Sequence, residues 1–459
     1  MSGPSGDAPL RDPRPLLDDL AAAAADSAVY ASSHPEGLKA SVPALRRRRR
    51  PGQPDPVGVL TLTRSSDGVL RWHEGPLART LPGRRRRAAA APRSHSDRAR
   101  VGTPEFTSGV PEAEPLEQFY FEKLEPNEVA AFLARRDQGF TPNPGLRRLS
   151  GGQLVPVSGP MGKGRLLLIV HGTFSNSDNL LEGVRRSPTG PAFLQRLEAH
   201  YDQVLTFDHP TVSVSPILNA LDLAAAFAAT RADVDVIAHS RGGLVARWWL
   251  DALGGAAPGR RRAVLVGSPL GGTSLAAPPR LRQAMNLLTN FGAALKLAGA
   301  AASVYLPFLS APVAILRVAT SITGFMARTP VFDAAVAMIP GLAGQSRVLD
   351  NPELDRARRL AAPAAVEYSV VQSNFETEDP GWRFWRRFRG EAIGEAAADV
   401  LFPGENDLVV DTASMTEFSA EAFPSSRVRA FRRSSKVHHT SYFEQPETLH
   451  FIADRLAIP

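Results

Sequence analysis

The sequence predicts a layered α/β protein, with a mostly parallel central sheet and helices on both faces. Three observations lead there. From about residue 116 onward, short apolar runs alternate with helical stretches. One of these runs, Asp233–Ala238, passes through His239-Ser240-Arg241-Gly242 straight into a helical pattern. The 459 residues are 43% hydrophobic and 22% charged, ordinary values for a chain with a sizeable core.

The elements follow in chain order. Residues 1–115 are rich in Pro, Arg, Ala and Gly with little periodicity, which predicts a largely disordered region. One island differs: VGVLTLTR and VLRWHE flank Ser65-Ser66-Asp67-Gly68, so a β-hairpin is expected near 57–74, paired with or packed on the main domain. The main domain is expected over 116–459. Arg165–Val170, Gln203–Phe207, Asp233–Ala238 and Ala263–Val266 read as strands, and Val366–Val371 and Arg427–Phe431 as the last two. Helices are expected over Pro191–Ala199, Pro216–Thr230, Gly243–Leu253 and Pro446–Leu456, the first opening on a proline suited to a first helical turn. Sheets of this kind carry their sites at the carboxyl ends of the strands.

Composition excludes several chemistries. There is no cysteine, hence no disulfide framework, thiolate metal site or cysteine nucleophile. The net charge of +7 lies at the N-terminus: residues 1–100 hold 18 basic and 10 acidic residues, the remainder 35 and 36. The runs Arg46–Arg50 and Arg84–Arg87 read as a solvated, biased tail, with no specific nucleic-acid partner expected. The first residues lack the apolar stretch of a secretory leader, so a cytoplasmic location is expected.

The strongest chemical signal is the strand–Ser–helix junction. A serine presented for attack sits on a very sharp turn with no room for large side chains two positions before and after it; here these are Ala238 and Gly242. The helix start behind it points its positive end at the serine. Such a nucleophile needs a base, and the base an orienting acid. In the chain order Ser, Asp/Glu, His, only His438, His439 and His450 follow Ser240. His450 sits among Leu449, Phe451 and Ile452 and reads as a packing residue, whereas His438 and His439 occupy a loop after the last strand. His239 adjoins the serine, with a side chain expected to point away from the reacting face. The stretch Glu405-Asn406-Asp407-Leu408-Val409-Val410-Asp411 offers three carboxylates, of which Asp407 enters the apolar run. Asp407 is therefore chosen, with Asp411 and Glu405 as alternatives. An oxyanion hole needs two backbone N–H groups. Arg241, after the serine, is one. Thr173, in the His171-Gly172-Thr173-Phe174 turn after the first buried strand, is the other, with Phe174 as reserve and candidate substrate-binding residue.

The set HGTF, AHSRGG, NDLVV and VHHTSYF resembles the α/β-hydrolase superfamily, in particular its bacterial lipase- and esterase-like members. The Gly267–Thr273 stretch, GSPLGGT, is similar to what such lipases carry there. The resemblance covers about residues 116–459 and implies an α/β-hydrolase fold. It implies Ser240 as nucleophile, His439 rather than His438 as base, Asp407 as acid, and Thr173 and Arg241 as amide donors. It also implies a serine hydrolase acting on hydrophobic carboxylic esters, with no metal and no cofactor. Amide hydrolysis or acyl transfer would use the same triad, and a non-catalytic binding module the same fold.

One stretch stands apart, an apolar insertion over about 275–345. Within it Leu297–Leu316 has no charged residue and nearly the length of a membrane span, although Pro307 and Pro312 interrupt it. Ser240 precedes it and Asp407 follows it, so a single crossing would separate nucleophile from acid. The expectation is an apolar helical cap over the site, with a peripheral membrane contact as its further use. The aromatic and basic run Trp382–Phe388 reads as an amphipathic surface helix.

Overall fold

A computed structural model describes residues 13–25, 29–32, 57–75, 113–157, 161, 164–254, 261–277, 280–323, 339–348, 351–360, 366–377, 382, 384–388, 400–434 and 436–459. The arginine runs at 46–50 and 84–87 lie outside the described residues, as does most of the region expected to be disordered.

Two sheets organise the chain. The first comprises β1 (Val29–Ser32), β2 (Val57–Arg64), β3 (Leu70–Glu74) and β4 (Glu114–Glu122), antiparallel in the order β1-β4-β2-β3. The hairpin expected near 57–74 is β2–β3, with Leu62 opposite Trp72. The boundary drawn at 115/116 falls inside β4, which pairs with β1 and β2. The reason is long-range pairing: Phe119 and Phe121 find their partners in strands 59 to 92 residues earlier in the chain.

The second sheet carries the site. Its strands are β5 (Gly145–Ser150), β6 (Gln153–Pro156), β7 (Arg165–Val170), β8 (Gln203–Asp208), β9 (Asp233–His239), β10 (Arg261–Val266), β11 (Val366–Gln372) and β12 (Val428–Ala430). Their spatial order is β12-β11-β10-β9-β7-β8-β5-β6. From β8 through β12 every pair is parallel, and β5 alone runs against its neighbours. Alternate residues of β7 serve opposite faces. Leu166, Leu168 and Val170 pack with the helices Pro216–Ala226 and Gly242–Trp248, and Leu167 and Ile169 with Ser177–Arg186, Gly190–His200 and Pro446–Arg455. This is the predicted α/β-hydrolase fold. The chain moves outward from β7 to β8, then crosses back to β9 and on toward β12, so the order reverses between β7 and β9. The carboxyl ends of those two strands form the crevice where such sheets bind ligands.

The apolar insertion folds as two long helices, Leu281–Leu297 and Ala302–Thr323, packed on each other. By length and composition the second would cross a membrane, with a mean hydropathy of 1.5 over Ala302–Ser321, yet 67% of that stretch is buried within the protein. What covers it is the N-terminal region. The helix Arg14–Ala25 places Leu16, Leu20 and Ala24 at helical spacing against it, and Asp19 accepts hydrogen bonds from Lys296 Nζ and Tyr305 Oη at 2.5 and 2.8 Å. The first sheet completes the cover. In the run Trp382–Phe388 the rings of Phe384, Trp385 and Phe388 are buried against the same cluster, and the Arg387 guanidinium pairs with Asp67 of the hairpin.

The junction between β3 and the cap is polar and specific. Asn286, Thr289 and Asn290 share one helix face. Asn290 Oδ1 accepts from the Leu70 amide at 3.0 Å while its Nδ2 donates to the Leu70 carbonyl at 2.8 Å. Asn286 Oδ1 accepts from the Trp72 amide at 2.8 Å, and the Trp72 indole donates to Thr289 Oγ1 at 2.8 Å. Substituting Asn290→Ala would strand both Leu70 groups in a dry contact. Chemical denaturation followed by tryptophan fluorescence should show a loss of about 2–4 kcal/mol; a midpoint equal to that of the wild type would contradict this account of the junction.

Candidate active site

β9 ends at His239, and the chain turns at Ser240 with φ +53, a left-handed conformation rare for a residue with a side chain. Two glycines make the turn possible. A Cβ at Gly172 would lie 2.6 Å from the Ser240 Cβ, and one at Gly242 would lie 2.5 and 2.6 Å from the carbonyl oxygens of His171 and Val170. The helix start and the β7 loop therefore both close on the serine at backbone distance. The Ser240 amide donates to the Val266 carbonyl at 2.9 Å, which ties the turn to β10.

The three residues predicted for the triad meet here. His439 Nε2 lies 2.8 Å from Ser240 Oγ, and His439 Nδ1 lies 2.8 Å from Asp407 Oδ2. All three are buried. Asp407 comes from the connection after β11 and His439 from the loop after β12, both at the carboxyl edge of the sheet. Burial alone would raise the Asp407 pKa, but the charge and hydrogen bond of His439 and the amides of Val409 and Val410, at 3.0 and 2.8 Å from Oδ1, hold it below the usual carboxylate value. Tyr442 Oη donates to Asp407 Oδ2 at 3.0 Å, and Gly267, at φ +57, leaves room for the Tyr442 ring.

The alternatives have other employment. Asp411 accepts from the Ser274 amide and hydroxyl, both at 3.0 Å, and fixes the turn into the cap. Glu405 is exposed. The His438 ring sits among Phe291, Phe375 and Trp382, and burial pushes its pKa down to about 4. His450 is on the exposed face of its helix rather than packed inward, because Leu449 and Ile452 take the inner face.

On the oxyanion side, the amides of Thr173 and Arg241 donate to no protein acceptor among the described residues. The Phe174 amide is taken by Thr211 Oγ1 at 3.2 Å, which removes Phe174 as reserve donor; its ring lines the cavity instead. That cavity, partly open to solvent, has Ser240 and His439 on its wall. Phe174, Leu180 and Phe443 line it from the main domain, and Leu288, Val304 and Phe308 from the cap. Among the described residues no group of His, Asp and Glu is arranged to hold a metal ion.

Three supports escape a reading of the sequence. His239 does not point away: its Nε2 donates to the His439 carbonyl at 2.9 Å, and burial together with the neighbouring His439 lowers its pKa to about 3, so it stays neutral. The Arg241 guanidinium, fully buried, donates to Val214 O at 2.5 Å and Asn219 Oδ1 at 2.7 Å, anchoring the serine turn to the segment after β8. Asp137 accepts from the amides of Thr211, Val212 and Ser213 at 2.7, 2.9 and 2.7 Å and so fixes the loop that holds Phe174. None of these has a spacing signal, because each partner lies tens to hundreds of residues away in the chain.

The fold is that of the α/β-hydrolase class. Residues 146–457, more than half of the chain, match the family described as "Domain of unknown function (DUF7379)", and the chain belongs to that family. The match begins within β5, leaving the N-terminal sheet and Asp137 outside it. No curated protein matches the chain. Among solved structures it is similar to the lipase BlEst2 of Bacillus licheniformis in mature form, at 15% identity over 69% of this chain and 100% of that one, TM-score 0.39. It is similar also to lipase 1 of Pelosinus fermentans, at 14% identity, 64% and 99% coverage and TM-score 0.40. A third is the esterase RhEst1 of Rhodococcus sp. ECU1013, at 19% identity, 64% and 90% coverage and TM-score 0.32. Likenesses this remote carry no inference about chemistry.

The lowered pKa of Asp407 has a consequence for stability. An unfolded aspartate titrates near ~3.9, so the folded carboxylate stabilises the protein above that pH, and the contribution fades as pH falls through its lower folded value. An Asp407→Asn variant should lose that part of the acid-side slope. Acid titration followed by circular dichroism checks it: identical slopes for the two proteins would refute the assignment of the buried charge.

Proposed function

We propose that this protein is a serine hydrolase that cleaves carboxylic esters with hydrophobic acyl groups through an acyl-enzyme on Ser240. The observation that supports this reading is the hydrogen-bonded row Ser240–His439–Asp407 on the wall of an apolar cavity. An incoming acyl carbonyl would be attacked by Ser240 Oγ as His439 Nε2 takes its proton. Asp407, accepting from His439 Nδ1, holds the imidazole in the tautomer with a free Nε2 and stabilises the imidazolium. The Thr173 and Arg241 amides would receive the oxyanion. Collapse expels the alcohol, protonated by His439, and a water activated by the same ring then releases the acid.

The cavity's apolar lining suits an acyl chain, and the main domain and the cap each contribute to it. We place the protein in the cytoplasm, and we assign the cap's apolar helices to substrate shielding, with the part of their surface left uncovered by the N-terminal helix and sheet available for a peripheral membrane contact.

A fluorophosphonate probe tests the reading on the full chain. Wild type should label covalently, Ser240→Ala should not, and His439→Ala should lower turnover of p-nitrophenyl butyrate by about 10⁴-fold or more. Unlabelled wild type that is folded by circular dichroism would defeat the proposal.

A further inference from the structure

The segment that ends the cap reaches into the oxyanion side of the site. Gln345 is buried, and its backbone is stitched to the turn entering the cap: its carbonyl accepts from the Thr273 amide at 2.8 Å, and Thr273 and Ser346 form a parallel bridge. Its side-chain amide faces Thr173. Nε2 donates to the Gly341 carbonyl at 3.0 Å, and since a carbonyl oxygen has no proton to give, that contact fixes which end of the amide is nitrogen. The same nitrogen lies 3.0 Å from Thr173 Oγ1. The hydroxyl oxygen therefore accepts, and its own proton must go elsewhere. One destination is Gln345 Oε1 at 3.4 Å, the far limit of a useful hydrogen bond. The other is the cavity that Thr173 shares with Ser240 and His439.

Resting on the ester-hydrolase reading above, we propose that the Thr173 hydroxyl is a third donor to the oxyanion, and that Gln345 is the positioning residue that turns it there. A hydroxyl loosely held in the resting state gains little from a neutral carbonyl. It gains much more from a negative oxygen, because a hydrogen bond to a charged acceptor is shorter and about twice as strong. The stabilisation is thus selective for the transition state and appears in kcat. Because Gln345 arrives from the cap, a displaced cap would also disorient this donor. The cap then serves the reaction itself as well as covering the cavity.

Kinetics on the full chain with p-nitrophenyl butyrate decide this. Thr173→Val, nearly the same shape without the hydroxyl, should lower kcat roughly tenfold to a hundredfold, with KM within about twofold of wild type. Thr173→Ser should restore kcat to within about threefold of wild type. Gln345→Leu should also lower kcat, and adding it to Thr173→Val should cause no further loss, because both remove one interaction. Thermal melting screens each variant for folding, and Gln345→Leu carries the test should Thr173→Val fail to fold. The proposal is overturned if Thr173→Val keeps kcat within about twofold of wild type. It is overturned equally if Thr173→Ser is as slow as Thr173→Val, or if Gln345→Leu leaves kcat unchanged. Turnover by Ser240→Ala equal to that of wild type would instead overturn the ester-hydrolase reading, and this inference with it.

Discussion

The backbone at Ser240 is the constraint on which the rest depends. A side-chain-bearing residue at positive φ costs on the order of 1–3 kcal/mol and persists only where its surroundings over-determine it. The surroundings here are the flush ends of three parallel strands. Val170 pairs with Ala238 and His239 with Val266, so β7, β9 and β10 stop at one level. The loops leaving them crowd onto the same few ångströms. Only glycine fits at 172 and 242 in that crowd, and the serine hydroxyl meets His439 Nε2 at the wall of the cavity.

The base and acid are held by different means. Their loops have little regular structure, so their positions come from side chains that reach across. Asp407 accepts from two amides of its own turn and from Tyr442, and its carbonyl accepts from the His439 amide at 3.0 Å. The His439 carbonyl in turn accepts from His239, the residue just before the nucleophile. The imidazole is thus fixed from both sides, by the acid through its ring and by the serine turn through its backbone.

The legibility of this arrangement in the sequence follows from how local each feature is. The strands β7 to β10 are continuous apolar runs buried on both faces, and their predicted limits differ from the observed ones by two residues at most. The order of Ser240, Asp407 and His439 was readable because each closes or follows a strand at the same edge. β5 and β6 were not, since GLRRLS and QLVP mix polar and apolar residues at half-buried positions. The N-terminal sheet was legible only at its hairpin, where a connection of five residues joins the strands. Its strand β4 meets β2 and β1 across 50 to 92 residues, a distance over which periodicity says nothing. The buried contacts of Asp137, Arg241 and His239 belong to the same category, being written only in three dimensions.

The edge of the N-terminal sheet at β3 has a consequence for how the protein behaves in a crowd. A strand with free amides and carbonyls along one side is a template on which another chain can grow. Here both outward groups of Leu70 are met by Asn290 and the amide of Trp72 by Asn286, carboxamides that mimic a peptide group on a helix. The helix therefore terminates the sheet at β3 as a neighbouring strand would, but offers no further edge on that side.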